Sequence, residues 1–191
     1  MEPPRFYFGA MSPYSWLAAE RIDALLPEAS WRGVFAGAIF KANGRSSWGL
    51  GEARSERMAE CEARAAEYGL GRIRWPVPWP TSDLFIARAM TFASRAGAST
   101  APDPTARGDE ELLRRLALAA MRLAFLEGGE LGEADTVLEA ADRAGVDRRE
   151  LREALAHGVF GVPTVAVEAQ LYWGDDRLRE AAMAYRSREP A

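Results

Sequence analysis

The pattern at the two ends of this chain constrains its fold more than anything between them. Near the start, an aromatic strand pattern over residues 5–10 runs directly into Ser12-Pro13. Serine before proline is a helix start: the serine oxygen caps the first turn, and proline fits the first helical position, where its missing N–H costs nothing. Trp16, Leu17, Ile22 and Leu25 or Leu26 then recur at helical spacing until Pro27. A second strand pattern follows at residues 31–35. Strand, helix, strand is the opening unit of an α/β fold. Near the other end, an X-Pro-Thr turn at Val162-Pro163-Thr164 leads into apolar runs at 165–167 and 171–173, which read as a hairpin. A last helix is predicted over about 175–186.

About 110 residues separate these end segments, too many for a loop. Residues 37–51 are rich in Gly, Asn and Ser and are expected to form a loop. Helical patterning resumes over 52–67. Trp75-Pro76-Val77-Pro78-Trp79-Pro80 cannot be helix interior, because each proline biases the residue before it to extended geometry. Ser82 is expected to cap a helix to about residue 96. After a polar connector at 97–108, a strong amphipathic helix is predicted over 109–127, carrying Leu112, Leu113, Leu116, Leu123 and Leu126. Gly128-Gly129 ends it, and helices at about 133–144 and 147–156 flank Gly145. The expected architecture is an α/β domain of βαβ and ββα halves, residues 1–40 and 157–191. It is split by an all-helical insertion subdomain with connecting loops, residues 41–156.

The 191 residues are 48% hydrophobic and 27% charged, with net charge −4, which offers no basic surface for nucleic acid. Cys61 is the only cysteine, so no intrachain disulfide forms. With His157 as the only histidine, neither a metal-ligand cluster nor a Ser-His-Asp arrangement is expected. His157 reads as a residue at a helix C-terminus. No apolar run approaches the roughly 18 residues that span a bilayer, and no secretory pattern opens the chain. A cytoplasmic protein without membrane contacts is the expectation.

Several residues carry possible chemistry. Ser12 sits where helix N–H groups and the macrodipole favour negative charge. A thiolate held there is stabilised below the roughly 8.5 of a free thiol. Any thiol bound there would come from outside, because Cys61 lies far off on a predicted helix. The alternative for Ser12 is a plain N-cap. Lys41, the sole lysine, can meet a carboxylate or be a solvated loop residue; Arg45 and Asn43 are weaker candidates for the same task. Trp48, Trp75, Trp79 and Trp173 fall in loops or turns, where they can wall a pocket for a flat conjugated molecule or simply pack in the core. Tyr14 can orient a substrate oxygen or pack on the first helical turn. Asp175 and Asp176 are favourable helix-start residues in their own right. Arg177 reads equally as a surface ion pair or a ligand contact.

Taken together, the two end segments look like the active-site segments of a thioredoxin-like fold, with serine where a redox member carries its first cysteine. More closely, Phe6-Tyr7-Phe8, Ser12-Pro13-Tyr14-Ser15-Trp16-Leu17-Ala18, Phe40-Lys41, Arg88-Ala89, Gly158 through Thr164, and Trp173-Gly174-Asp175-Asp176-Arg177-Leu178 resemble the 2-hydroxychromene-2-carboxylate isomerase family. That family is close kin of kappa-class glutathione transferases in the DsbA-like group. The chain departs from the family pattern at Gly9, where an acidic residue is usual, after Lys41, and at Thr81 or Ser82, where asparagine is usual.

The resemblance implies glutathione, or another low-molecular-weight thiol, as cofactor, and an aromatic small molecule as substrate. It implies a cis bond before Pro163, with the Val162 backbone pairing to the cysteinyl unit. It implies that Asp175 and Asp176 meet the γ-glutamyl end, and that the protein is a homodimer. The implied reaction is cis-trans isomerisation of an aromatic α-keto acid: thiolate adds to the conjugated double bond, the new single bond rotates, and elimination returns the isomer. The alternatives are a kappa-like transferase acting on other electrophiles, and a non-catalytic thioredoxin-fold binding protein.

Overall fold

A computed structural model describes residues 3–93, 107–146, 164–167, 170–173 and 177–186. The chain divides into two compact units, Met1–Arg148 and Arg149–Ala191.

The first unit opens with β1 (Arg5–Phe8), α1 (Pro13–Leu25) and β2 (Ser30–Gly33). β1 and β2 pair in parallel, with Phe6 opposite Trp31 and Phe8 opposite Gly33. A parallel pair needs a crossover, and α1 supplies it. The expected βαβ unit is therefore present. The aromatic residues that marked the strands pack on one another: the Trp31 ring meets Phe6 edge-on at 5.0 Å and Phe8 at 5.2 Å.

Four longer helices complete this unit: α3 (Arg54–Glu67), α4 (Leu84–Ala93), α5 (Arg107–Glu127) and α6 (Ala134–Ala144). α5 is central, packing against α1, α4, α6 and β2. Its buried face carries Leu113, Leu116, Leu123, Met121 and Phe125, with Ala117, Ala120 and Ala124 between them. The small residues let neighbouring helices approach while the large ones fill the layers. Glu110, in the first turns of α5, fastens it to the sheet: its carboxylate accepts the Trp31 N–H at 2.8 Å and the Ser30 hydroxyl at 3.3 Å. Trp16, Trp31, Phe8, Phe125 and Ile86 are among the largest fully buried side chains.

One expectation fails inside this unit. Residues 37–51 are not a continuous loop but contain α2 (Ala36–Ala42) and a 3₁₀ turn, Trp48–Leu50. α2 has no buried residue, so it carries no apolar stripe from which to predict it. Its own cap position, Phe35, makes no side-chain cap bond. The Asp83 carboxylate accepts the Ala36 N–H at 3.3 Å instead, from 47 residues away. Ser82 is likewise not quite the cap expected of it. The first helical bond of α4 runs from the Ala87 N–H to the Asp83 carbonyl at 2.9 Å, while the Ser82 hydroxyl accepts the Leu84 N–H at 3.4 Å. Residues 75–80 are non-helical as expected, with cis bonds at Val77-Pro78 and Trp79-Pro80.

In the second unit, β3 (Thr164–Val167) and β4 (Gln170–Trp173) form the expected antiparallel hairpin, followed by α7 (Leu178–Arg186). Val167, Tyr172 and Ala181 form its buried cluster, against which Ala184 packs. Among the described residues, no helix is long and apolar enough to cross a membrane.

Candidate functional site

The β1–α1 turn is tied by four short-range hydrogen bonds. Ser12 is the N-cap of α1, in extended geometry, and its Oγ accepts the Ser15 N–H at 3.3 Å. The Ser15 Oγ accepts the Gly9 N–H at 3.3 Å. The Ser12 N–H donates to the Gly9 carbonyl at 3.0 Å, and the Trp16 N–H to the Ser12 carbonyl at 3.1 Å. Pro13 brings no N–H. The Tyr14 N–H is thus the remaining first-turn donor among the described residues. Capping engages the Ser12 oxygen as an acceptor, so its O–H is left to donate outward.

This turn opens on a cleft of about 580 Å³. Met11, Ser12 and Pro13 form one side. Ala36, Phe40 and Lys41 of α2, with the segment from Arg45 to Trp48, form a second. Trp79 to Asp83 close the third. Five residues singled out from sequence meet here: Ser12, Lys41, Arg45, Trp48 and Trp79. The cleft combines aromatic faces, two cations and a hydroxyl at a helix start.

Trp79 holds the walls together. It is 5% exposed and its Nε1 donates to the Met11 carbonyl at 3.2 Å. Its ring lies 5.0 Å from Trp48 and 4.8 Å from Trp75, and its carbonyl accepts from the Arg54 guanidinium at 3.0 Å. A Cβ on Gly49 would stand 2.7 Å from the Trp79 ring and 2.8 Å from Pro80 Cδ, so only glycine lets the 3₁₀ turn sit this close. Gly9 is tight too: an added Cβ would lie 3.2 Å from the Ala36 Cβ. A side chain there, as in the family pattern, would press on the start of α2.

Other expected residues stand behind the cleft rather than in its lining. The Trp75 Nε1 donates to Glu62 at 2.7 Å, and its ring meets Phe125 at 6.0 Å. Tyr14 donates its hydroxyl to Glu60 at 2.8 Å and meets the Trp48 ring edge-on at 5.8 Å. Burial first, and then the Glu60 bond, hold the Tyr14 phenol above its ordinary range. Cys61 is buried beside it, its thiol pushed up chiefly by burial. Asn43 Nδ2 donates to the Ile39 carbonyl at 2.8 Å, closing α2. In the second unit, described by itself, Arg177 just before α7 pairs with Glu180 at 2.6 Å. Val162, Pro163, Asp175, Asp176 and His157 lie outside the described residues.

Sequence reasoning missed one charged group in the lining, Asp83. It is 6% exposed and stands on the cleft wall. Burial pushes its carboxyl above the usual range, opposed by the N–H groups of Asp83 itself and of Ala36. An aspartate before an apolar run reads as a cap, and nothing local signals that it is buried. Thr81, a departure from the family pattern, also lines the cleft. Its hydroxyl donates to Glu130, which also accepts the Gly132 N–H at 2.6 Å.

No family model matches this chain, and no curated protein sequence matches it. A solved structure does. This chain is similar in fold to 2-hydroxychromene-2-carboxylate isomerase. The two chains are 20% identical over 97% of this chain and 96% of that one, with a TM-score of 0.50. At that identity the likeness is one of fold.

Proposed function

We propose that this protein is a thioredoxin-like isomerase that uses glutathione to interconvert the cis and trans forms of an aromatic α-keto acid such as 2-hydroxychromene-2-carboxylate. The observation that carries this reading is the placement of Ser12 at a helix start on the cleft that also presents Lys41, Arg45, Trp48 and Trp79. A thiolate at Ser12 receives a hydroxyl hydrogen bond and the positive end of α1. Trp48 and Trp79 supply flat apolar faces for a conjugated ring, and Lys41 and Arg45 supply charge for its carboxylate. The shared fold with an isomerase of that substrate supports the same choice. Val162, Pro163, Asp175 and Asp176 belong to this reading as the glutathione-binding residues that the family resemblance implies.

The addition step forms a C–S bond and turns the double bond into a rotatable single bond. Elimination restores both thiol and double bond, so no group is transferred and no electron is lost. The protein's contribution is a stabilised nucleophile and a fixed acceptor geometry.

The test has two parts. Glutathione at about 100 times its dissociation constant should stabilise the fold by roughly 2.7 kcal/mol in a melting experiment. Purified protein with glutathione should then convert 2-hydroxychromene-2-carboxylate to its open-chain trans isomer, followed by absorbance. Absence of any melting shift with glutathione or other biological thiols at high millimolar concentration would sink the reading. Accumulation of a stable thioether would replace the isomerase with a transferase.

A further inference from the structure

We infer that Asp83 is a catalytic acid-base group, carrying the proton of the bound thiol to the substrate's carbonyl oxygen and back. This rests on the glutathione-dependent reading above and adds a residue to it. Asp83 is an almost fully buried carboxylate on the wall of the same cleft that holds Ser12. Charged groups buried in a cleft are costly to keep there, and a capping role explains only part of this one. Serine or asparagine would serve as well to accept the Ala36 N–H.

Four charged residues on the cleft and the elements beside it bear on this group. Lys41 and Arg45 line the cleft, Arg88 lies further along α4, and Glu130 sits behind Thr81. The influences on its titration are burial first, which raises it, and then two backbone N–H groups, which lower it. A carboxyl placed this way takes and gives a proton more readily at neutral pH than an exposed one.

The cycle balances without solvent. The S–H bond of glutathione breaks as its proton moves to the Asp83 carboxylate, leaving a thiolate beside a neutral acid rather than beside a second anion. The thiolate forms the C–S bond, and the displaced π pair moves to the carbonyl oxygen. Asp83 gives its proton to that oxygen, yielding an enol. After rotation the enol returns the proton to Asp83, the C–S bond breaks, and the thiolate recovers its proton. No net proton is taken up and nothing is oxidised or reduced.

The variant of choice is Asp83→Asn, which keeps an oxygen for the Ala36 N–H but cannot carry the proton. With glutathione and 2-hydroxychromene-2-carboxylate, kcat should fall about 100-fold or more. The glutathione dissociation constant, measured by calorimetry, should stay within threefold. The pH profile should also change. Wild-type kcat should fall on the acid side as Asp83 becomes protonated, at a pH above the ordinary carboxylate range. In D83N the rate should instead climb about tenfold per pH unit, until the bound thiol is ionised. A D83N enzyme with wild-type kcat and pH profile would overturn the inference while leaving the isomerase reading standing. If D83N does not fold, the wild-type profile decides: an acid limb above the ordinary carboxylate range supports the shuttle, and a rate flat down to pH 4 overturns it. A wild-type protein that neither binds glutathione nor isomerises the substrate overturns both readings together.

Discussion

Two of the three sides of the cleft are built differently. On the Ser12 side, residues 9–16 are tied by backbone and hydroxyl bonds, and Trp79 reaches across to the Met11 carbonyl. Ser12 itself borders buried Met11 and Pro13. On the cation side, α2 buries no residue, and Ile39 is 46% exposed. Its first N–H depends on Asp83, and Lys41 and Arg45 extend from exposed backbone. The contrast teaches that the two ends of the proposed reaction ask for different things. A nucleophile gains most from a fixed position, since ordering done during folding is not repeated on binding. An acceptor that must rotate between two shapes suits a wall that can give.

The strongest way to break this comparison is Trp79→Ala. Removing a large buried side chain should cost about 3–5 kcal/mol of stability, measured by urea unfolding. Lys41→Ala on α2 should cost less than about 0.5 kcal/mol. Equal effects on the two sides would mean that the cation side is as firmly packed as the serine side.

Ser12→Ala tests the chemistry of the ordered side. Loss of one charge-assisted hydrogen bond, about 1.5–3 kcal/mol, should raise the pKa of the bound thiol by roughly one to two units. Thiolate absorbance of bound glutathione, titrated in both proteins, reads this directly. The neutral-pH rate should fall by a comparable factor. If thiol pKa and rate do not move, Ser12 is only the cap of α1.

Gly49→Ala sharpens the role of close packing. Its new methyl group must displace Trp79 or Pro80, and overpacking of this kind costs about 1–3 kcal/mol. A quenched or shifted tryptophan fluorescence should accompany the lost stability. An unperturbed spectrum and melting point would show that the wall yields easily.

On the cation side, Lys41→Ala should raise KM for a carboxylate-bearing acceptor by an amount worth about 1 kcal/mol or less, with kcat little changed. Added salt should shrink the difference between mutant and wild type. A salt-insensitive loss, or a loss confined to kcat, would remove Lys41 from substrate binding.

The smallest effect concerns stability and pH at Asp83. Its carboxyl is raised in the folded protein, so the folded state holds that proton more tightly than the unfolded state does. The resulting stability is present at low pH and is lost as pH rises through the folded pKa. The melting temperature of wild type relative to D83N should therefore be higher at pH 4 than at pH 7. The reverse trend would mean that Asp83 is stabilised as the anion.

Much of the frame was legible because it rests on local chemistry. Ser12-Pro13 starts a helix wherever it occurs, since the cap oxygen and the proline ring act within one turn. The prolines between Trp75 and Pro80 forbid helix from within the segment. The spacing of Leu113, Leu116 and Leu123 marks the buried face of α5 before any partner is known. The hairpin of β3 and β4 follows from two apolar runs that are adjacent in sequence.

What tertiary structure alone decided is each feature whose partner lies far along the chain. α2 looked like loop because its cap comes from Asp83 and its surface is never buried. Trp75 and Trp79 are alike in sequence, yet one lines the cleft and the other backs it, because only Trp79 meets both Met11 and Trp48. Asp83 has no role in the sequence reading, which gives the helix cap to Ser82; its bond to the Ala36 N–H and its burial come only with the fold. A cap, a turn or an apolar stripe is set by neighbours within a few residues. Burial is set by whatever the chain later brings alongside, and burial is what raises the Asp83 carboxyl above the range of a surface aspartate.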